Sequence, residues 1–172
     1  MHSAPEPETA ITSGPRMKIR GFGVALALFA ADIAIKRYVV AVAPDFGDWW
    51  LKFTLFRNEG IVFSLPVPDW LYLPVALSIF LLFAGASVRA IMKRAPSALW
   101  LVFVVLGALS NLIDRVTYGA TIDYLMFFGR SAVNLADALI VIGVILFVRS
   151  QKKMQCGEPT AVTSPPPSRQ VP

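Results

Sequence analysis

At 172 residues, with 56% hydrophobic and only 16% charged side chains, the chain is too apolar for an ordinary soluble domain of its size. Its net charge of +5 is not a nucleic-acid footprint, because Lys and Arg flank apolar runs instead of forming one basic stripe. The only histidine, His2, lies in a polar leader and the only cysteine, Cys156, in the C-terminal tail, which excludes His-based catalysis, His-ligated metals and a disulfide.

Residues 1–16 are polar and contain proline, and read as a disordered N-terminal extension ahead of a natural-looking start at Met17. Residues 22–43 are apolar apart from Asp32, Lys36 and Arg37, too long a run for a signal-peptide core. Asp32 and Lys36 are four apart and share a helix face. The favoured reading of the pair is a salt bridge that lowers the cost of two intramembrane charges. The other is a headgroup contact by Lys36 near the outer leaflet. In residues 44–69, Trp49 and Trp50 suit an interfacial aromatic belt. Residues 51–55 alternate apolar and polar, as a strand with one buried face does. Arg57-Asn58-Glu59-Gly60 supplies turn chemistry, and residues 61–65 are expected to return as a second strand. Such a sheet would offer its edge to an extended peptide, although an irregular interfacial loop fits the same periodicity. Residues 70–88 and 95–113 carry no formal charge, and residues 133–148 are apolar apart from Asn134 and Asp137. About 20 residues cross a bilayer core, so four spans are expected. Residues 154–172, with Pro165-Pro166-Pro167, read as a disordered tail.

Arg16, Lys18 and Arg20 precede the first span, Arg89, Lys93 and Arg94 separate the second from the third, and Arg149, Lys152 and Lys153 follow the fourth. The opposite side holds Lys52, Arg57, Arg115 and Arg130. The positive-inside rule therefore places both termini in the cytoplasm. The expected fold is an all-α membrane protein, four transmembrane helices over residues 17–153, with a small sheet-like element at the outer interface.

That orientation gathers the conspicuous polar residues at the outer boundary. Asn111 and Asp114 lie three apart at the end of the third span, and Asn134 and Asp137 three apart at the start of the fourth. Each pair occupies one helical face. Polar glue between helices, at about 1 kcal/mol per hydrogen bond, would account for one such pair. Two facing pairs, with Asp123 between them, favour a functional site, since ionisable groups at membrane depth are costly. A Ser/Lys dyad of Ser64 with Lys36 or Lys52 has no supporting motif. Two carboxylates held close cannot both ionise. The ionised one takes a proton from water, and the protonated one stabilises charge on a scissile carbonyl. This arrangement needs no metal or cofactor. Spacing alone does not choose between Asp114 and Asp123.

At these residues the sequence closely resembles the lipoprotein signal peptidases (signal peptidase II), over roughly residues 17–153. Asp32 to Lys36 matches Asp-x-x-x-Lys, and Asn58-Glu59-Gly60-Ile61-Val62-Phe63-Ser64 resembles Asn-x-Gly-x-x-Phe-Ser. Asn111 to Arg115 matches Asn-x-x-Asp-Arg, Gly119 to Asp123 matches Gly-x-x-x-Asp, and Asn134 to Asp137 matches Asn-x-Ala-Asp through Ala136. Each motif is weak, and five in order are specific. The resemblance implies a bacterial inner-membrane aspartyl endopeptidase. It would cut the signal peptide from diacylglyceryl-modified prolipoproteins on the amino side of the lipidated cysteine. It implies Asp123 and Asp137 as the catalytic pair, supported by Asn111, Asp114, Arg115 and Asn134. Asp32, Lys36, Asn58 and Gly60 would line the lipid and peptide side. It also implies a periplasmic active site, contact with membrane phospholipid, and a monomer without cofactor.

The chain departs from the usual family pattern at Ser110, where Gly commonly precedes the Asn. It departs again at Thr121-Ile122-Asp123-Tyr124, in place of Val-Val-Asp-Phe, and in a shorter stretch between Asp123 and Asn134. A different class of reading, a small proton-coupled transporter or ion-binding membrane protein, would use the same carboxylates as a relay. It fits less well, because the carboxylates sit at one boundary and no internal repeat is visible. A non-catalytic assembly protein would require the carboxylate pair to be incidental.

Overall fold

The computed structural model describes residues 15–60 and 69–156. Four long helices cover the four apolar runs: α1 (Pro15–Val42), α2 (Asp69–Met92), α3 (Ala98–Tyr118) and α4 (Leu135–Cys156). Between them lie four short strands, β1 (Asp45–Gly47), β2 (Leu51–Asn58), β3 (Thr121–Phe127) and β4 (Ser131–Val133). Among the described residues, two helical stretches are long and apolar enough to cross a membrane by length and composition, Leu71–Met92 and Ala98–Tyr118. Charged residues within α1 and α4 keep those helices outside that group. The leader before Pro15, the 61–65 strand with Ser64, and the tail after Cys156 lie outside the described residues.

Helix α3 is the centre of the bundle and packs against α4, α2 and α1. Its approach to α4 depends on small residues, as is usual where no water is present to drive helices together. A Cβ on Gly107 would stand 2.5 Å from the Ala136 carbonyl oxygen, and one on Gly143 would stand 2.8 Å from that of Trp100. Leu139, Phe103 and Ala25 fill the space between α4, α3 and α1. Helix α2 contrasts with this core. Leu71, Leu73, Val75, Leu77, Ile79, Leu81 and Leu82 are all exposed along it. A helix that is apolar on every face suits a lipid environment rather than water.

The strands form one antiparallel sheet in the order β1-β2-β3-β4. The expected strand over 51–55 extends to Asn58 as β2, and its partners are β1 and β3. Strand β3 was expected only as a connection. The β2–β3 register shifts between Phe53 and Phe56 and then pairs Phe56 with Asp123 and Asn58 with Thr121. A bulge of this kind re-aims side chains next to a site. The sheet is joined to the bundle by a tight turn. Gly119 caps α3 at φ 72, a left-handed conformation that glycine adopts without penalty, and donates to the Arg115 carbonyl at 3.0 Å. Strand β3 begins two positions later, so the C-terminal end of α3 delivers Asp123 directly beside the start of α4.

Candidate active site

Helix α4 begins with a reciprocal cap. Asn134 precedes its first turn, and its Oδ1 accepts from the Asp137 N–H at 2.9 Å. Asp137 Oδ2 accepts from the Asn134 N–H at 3.2 Å in return. This is capping-box geometry, which satisfies two otherwise orphaned donors at a helix start. It also fixes the Asp137 carboxylate at the positive end of the helix dipole. The Asn134 side-chain amide is left free to donate elsewhere. Its Nδ2 lies 2.7 Å from Asp123 Oδ1, with the Ile122 carbonyl at 3.3 Å and Asn111 Oδ1 at 3.2 Å. One asparagine therefore touches both Asp123 and Asp137.

The other carboxylate oxygens are held by amides from two further elements. Asn58 on β2 donates to Asp123 Oδ2 at 3.0 Å, and Asn111 on α3 donates to Asp137 Oδ1 at 2.9 Å. Asp123 is 1% exposed, whereas Asp137 is only half-buried. Burial pushes Asp123 up to about 7; the Asn58 amide opposes the shift, and the Asp137 carboxylate adds to it. Asp123 is thus a carboxyl group that gives up its proton only around neutral pH, beside a less buried Asp137.

Behind the pair lies an ionic cluster. Lys36 Nζ is 2.9 Å from Asp32 and 2.8 Å from Asp114. It also donates to Asn111 Oδ1 at 2.9 Å and Ser110 Oγ at 3.0 Å. Lys36 is 1% exposed and Asp32 is fully buried, so the ion pair between them is present and Lys36 has no surface to offer a headgroup. Asp114 Oδ2 additionally accepts from the Ile122 N–H at 3.1 Å, which fixes the strand next to Asp123. Asn111 therefore faces both ways: its oxygen receives Lys36, and its nitrogen reaches Asp137.

Arg115 forms a second brace. Its Nε donates to Thr121 Oγ1 at 2.9 Å, Nη1 to the Glu59 carbonyl at 3.1 Å, and Nη2 to the Gly60 carbonyl. Its guanidinium stacks 3.8 Å from the Tyr72 ring centroid. The Gly60 N–H in turn donates to Asn58 Oδ1 at 3.1 Å, closing the turn after β2. Ala136, fully buried, donates its N–H to Asp32 at 3.2 Å, and the close approach of Gly107 to its carbonyl leaves no room for a larger neighbour.

The residues that the family resemblance marked from sequence thus gather in one network: Asp32, Lys36, Asn58, Gly60, Asn111, Asp114, Arg115, Asp123, Asn134, Ala136 and Asp137. Ser110, Thr121 and Tyr124 stood out in the sequence only as departures from the family pattern, with no sign of the contacts their hydroxyls make, and the Tyr72 ring had no signal at all. Lys52, considered as a Ser/Lys partner, instead pairs with Asp45 on the sheet at 2.6 Å. Among the described residues, no three His, Cys, Asp or Glu side chains are grouped to hold a metal ion.

Residues 24–151 match the profile of the family described as signal peptidase (SPase) II. The lipoprotein signal peptidase of Shewanella amazonensis is 32% identical over 160 residues, spanning 84% of this chain and 94% of its own. That of Shewanella oneidensis is 32% identical over 147 residues, spanning 76% and 84%. Two solved bacterial membrane enzymes share the fold. One has a TM-score of 0.64 at 20% identity, covering 83% of this chain and 95% of its own. The other, solved by the in meso method at 1.9 Å, has a TM-score of 0.63 at 24% identity, covering 78% and 93%.

Proposed function

The chain belongs to the signal peptidase II family, and is thus a protease of the membrane; we propose that Asp123 and Asp137 are its catalytic pair. The observation that carries the proposal is the shared contact through Asn134. It joins a buried carboxyl whose pKa lies near 7 to a half-buried carboxylate. Asp137 takes a proton from water, and the resulting hydroxide attacks the scissile carbonyl. Asp123, protonated, hydrogen-bonds the carbonyl oxygen and stabilises the negative charge that develops there. Asp137 then returns its proton to the leaving amine. Asn58, Asn111 and Asn134 hold the two carboxyl groups without neutralising them. Asp114 and Arg115 fix β3 and the turn after β2.

The substrate class follows from the family. The enzyme removes signal peptides from prolipoproteins, and we assign the cut to the amino side of a diacylglyceryl-modified cysteine. The four helices span the bacterial inner membrane as a monomer, with both termini cytoplasmic and the site at the periplasmic face. Acyl chains then hold the cysteine at the depth of the pair and lower the entropic cost of presenting the bond. The chains anchor it by about 0.8 kcal/mol per buried CH₂.

The test compares cleavage of one prolipoprotein before and after diacylglyceryl transfer, in the same vesicles, by wild type, Asp123→Asn and Asp137→Asn. Wild type should cut only the lipidated form. Each Asn variant should insert normally and lose about 10³-fold or more in turnover, within the range a positioned acid or base contributes. Near wild-type turnover by either variant would sink the pair. Equal rates on the two substrates would sink the role of the lipid.

A further inference from the structure

Asp32 has a second set of contacts that the mechanism does not use. Its Oδ1 accepts from the Leu135 N–H at 3.1 Å and the Ala136 N–H at 3.2 Å, the opening residues of α4. The same oxygen accepts from the Tyr124 hydroxyl at 2.9 Å. The Tyr124 oxygen in turn accepts from the Leu135 N–H at 2.9 Å. The other oxygen, Oδ2, is held by Ser110 Oγ at 2.5 Å and by Lys36. Tyr124 follows Asp123 in β3, and Leu135 and Ala136 immediately precede Asp137 in α4. One buried carboxylate on α1 therefore grips both elements that carry the pair.

We propose that Tyr124 is a positioning residue of the reaction: through its hydroxyl on Asp32 and Leu135 it locks β3 to the first turn of α4, and so sets the placement of Asp123 relative to Asp137. The proposal rests on the Asp123–Asp137 reading and adds a residue to it. Three features favour a positioning role over simple packing. Tyr124 is buried, and a buried hydroxyl without partners is costly. Here it has two, one on each side of the joint. The phenol is pushed above its ordinary range by burial and then by the Asp32 charge, so it keeps the proton it donates. Asp32 itself cannot shift to compensate, because Ser110 and Lys36 hold its second oxygen.

The experiment measures kcat and KM on a lipidated prolipoprotein, with thermal unfolding in the same detergent. The variants are Tyr124→Phe, Ser110→Ala and Phe53→Leu, run beside Asp123→Asn and Asp137→Asn. Tyr124→Phe keeps the ring, which packs 5.8 Å from Phe53 between centroids. It should lower kcat about tenfold at a KM within about twofold, a loss smaller than the ~10²-fold that follows a 1 Å misplacement. Its unfolding midpoint should stay close to wild type. Phe53→Leu disturbs the same ring without touching the hydroxyl, and should lower the midpoint while keeping kcat. A wild-type kcat for Tyr124→Phe overturns the proposal, as does an equal kcat loss in Phe53→Leu. Should Tyr124→Phe fail to accumulate in the membrane, Ser110→Ala tests the same anchor from its other oxygen. A several-fold lower kcat at unchanged KM is expected there, and wild-type kcat overturns the proposal. Cleavage by either Asn variant removes the catalytic pair itself. Two dead Asn variants beside a fully active Tyr124→Phe remove only the positioning role.

Discussion

Two carboxylate pairs lie on either side of Asn111, and they differ chiefly in one contact. Asp32 and Asp114 both touch Lys36, at 2.9 and 2.8 Å. Asp123 and Asp137 touch only amides and backbone N–H groups, and no salt bridge among the described residues reaches either. A cation in contact makes a buried negative charge tolerable, and the first pair then serves as a fixed scaffold. The second pair has donors that orient it but no neutralising partner. That difference is what the proposed proton-handling role of the second pair rests on. The residue type is the same in both places, and the neighbour decides whether it is structural or reactive.

The most damaging way to break this contrast is to remove the cation. Lys36→Met leaves two buried carboxylates facing each other, and should cost about 3–5 kcal/mol of stability, the range for deleting one member of a buried pair. Cleavage should fall with it, because Asn111 loses the donor that orients it toward Asp137. An unfolding midpoint like that of wild type would show that the first pair does not depend on Lys36.

The second pair can be tested by titration. In the proposed mechanism Asp123 holds its proton, and burial raises its pKa to about 7. The kcat profile should therefore fall as pH rises through about 7. Stability carries the matching sign. The folded state binds this proton more tightly than the unfolded state, so its contribution is complete below the ordinary carboxylate range and is lost as pH rises through about 7. Asp123→Asn should flatten that part of the stability curve, and an unchanged slope would assign the titration to another group. The smallest effect belongs to an ion pair of the surface kind. Asp45 pairs with Lys52, and both are exposed. Asp45→Asn should leave cleavage and the unfolding midpoint unchanged, since exposed pairs are screened by water.

Different parts of this molecule were legible to different degrees. The four helices follow from long apolar runs, two of them free of charge, and the start of α4 follows from Asn134 and Asp137 at capping spacing. Strand β2 was visible in its alternation, but β3 was not. Thr121 to Tyr124 is buried throughout, so it lacks the alternation that marks a half-exposed strand. Strand β1 has three residues, too few for any pattern. Within the site, charged residues at membrane depth stand out because nothing else explains their cost. Ser110 and Tyr124 do not, because a hydroxyl is unremarkable in an apolar helix or strand until its partner is known. Asp32 is that partner, and it lies 78 and 92 positions away in the chain.

The contributors to the site are scattered in a particular order along the chain. Lys36 comes from α1, Asn58 from β2, Asn111 from α3, Asp123 from β3, and Asp137 from α4. Synthesis delivers the N-terminal portions first. Until α4 seats against α3, Asp137 lacks its Asn111 contact and Asp123 has no second carboxyl beside it. Assembly of the proposed pair therefore waits on the last helix to be synthesised.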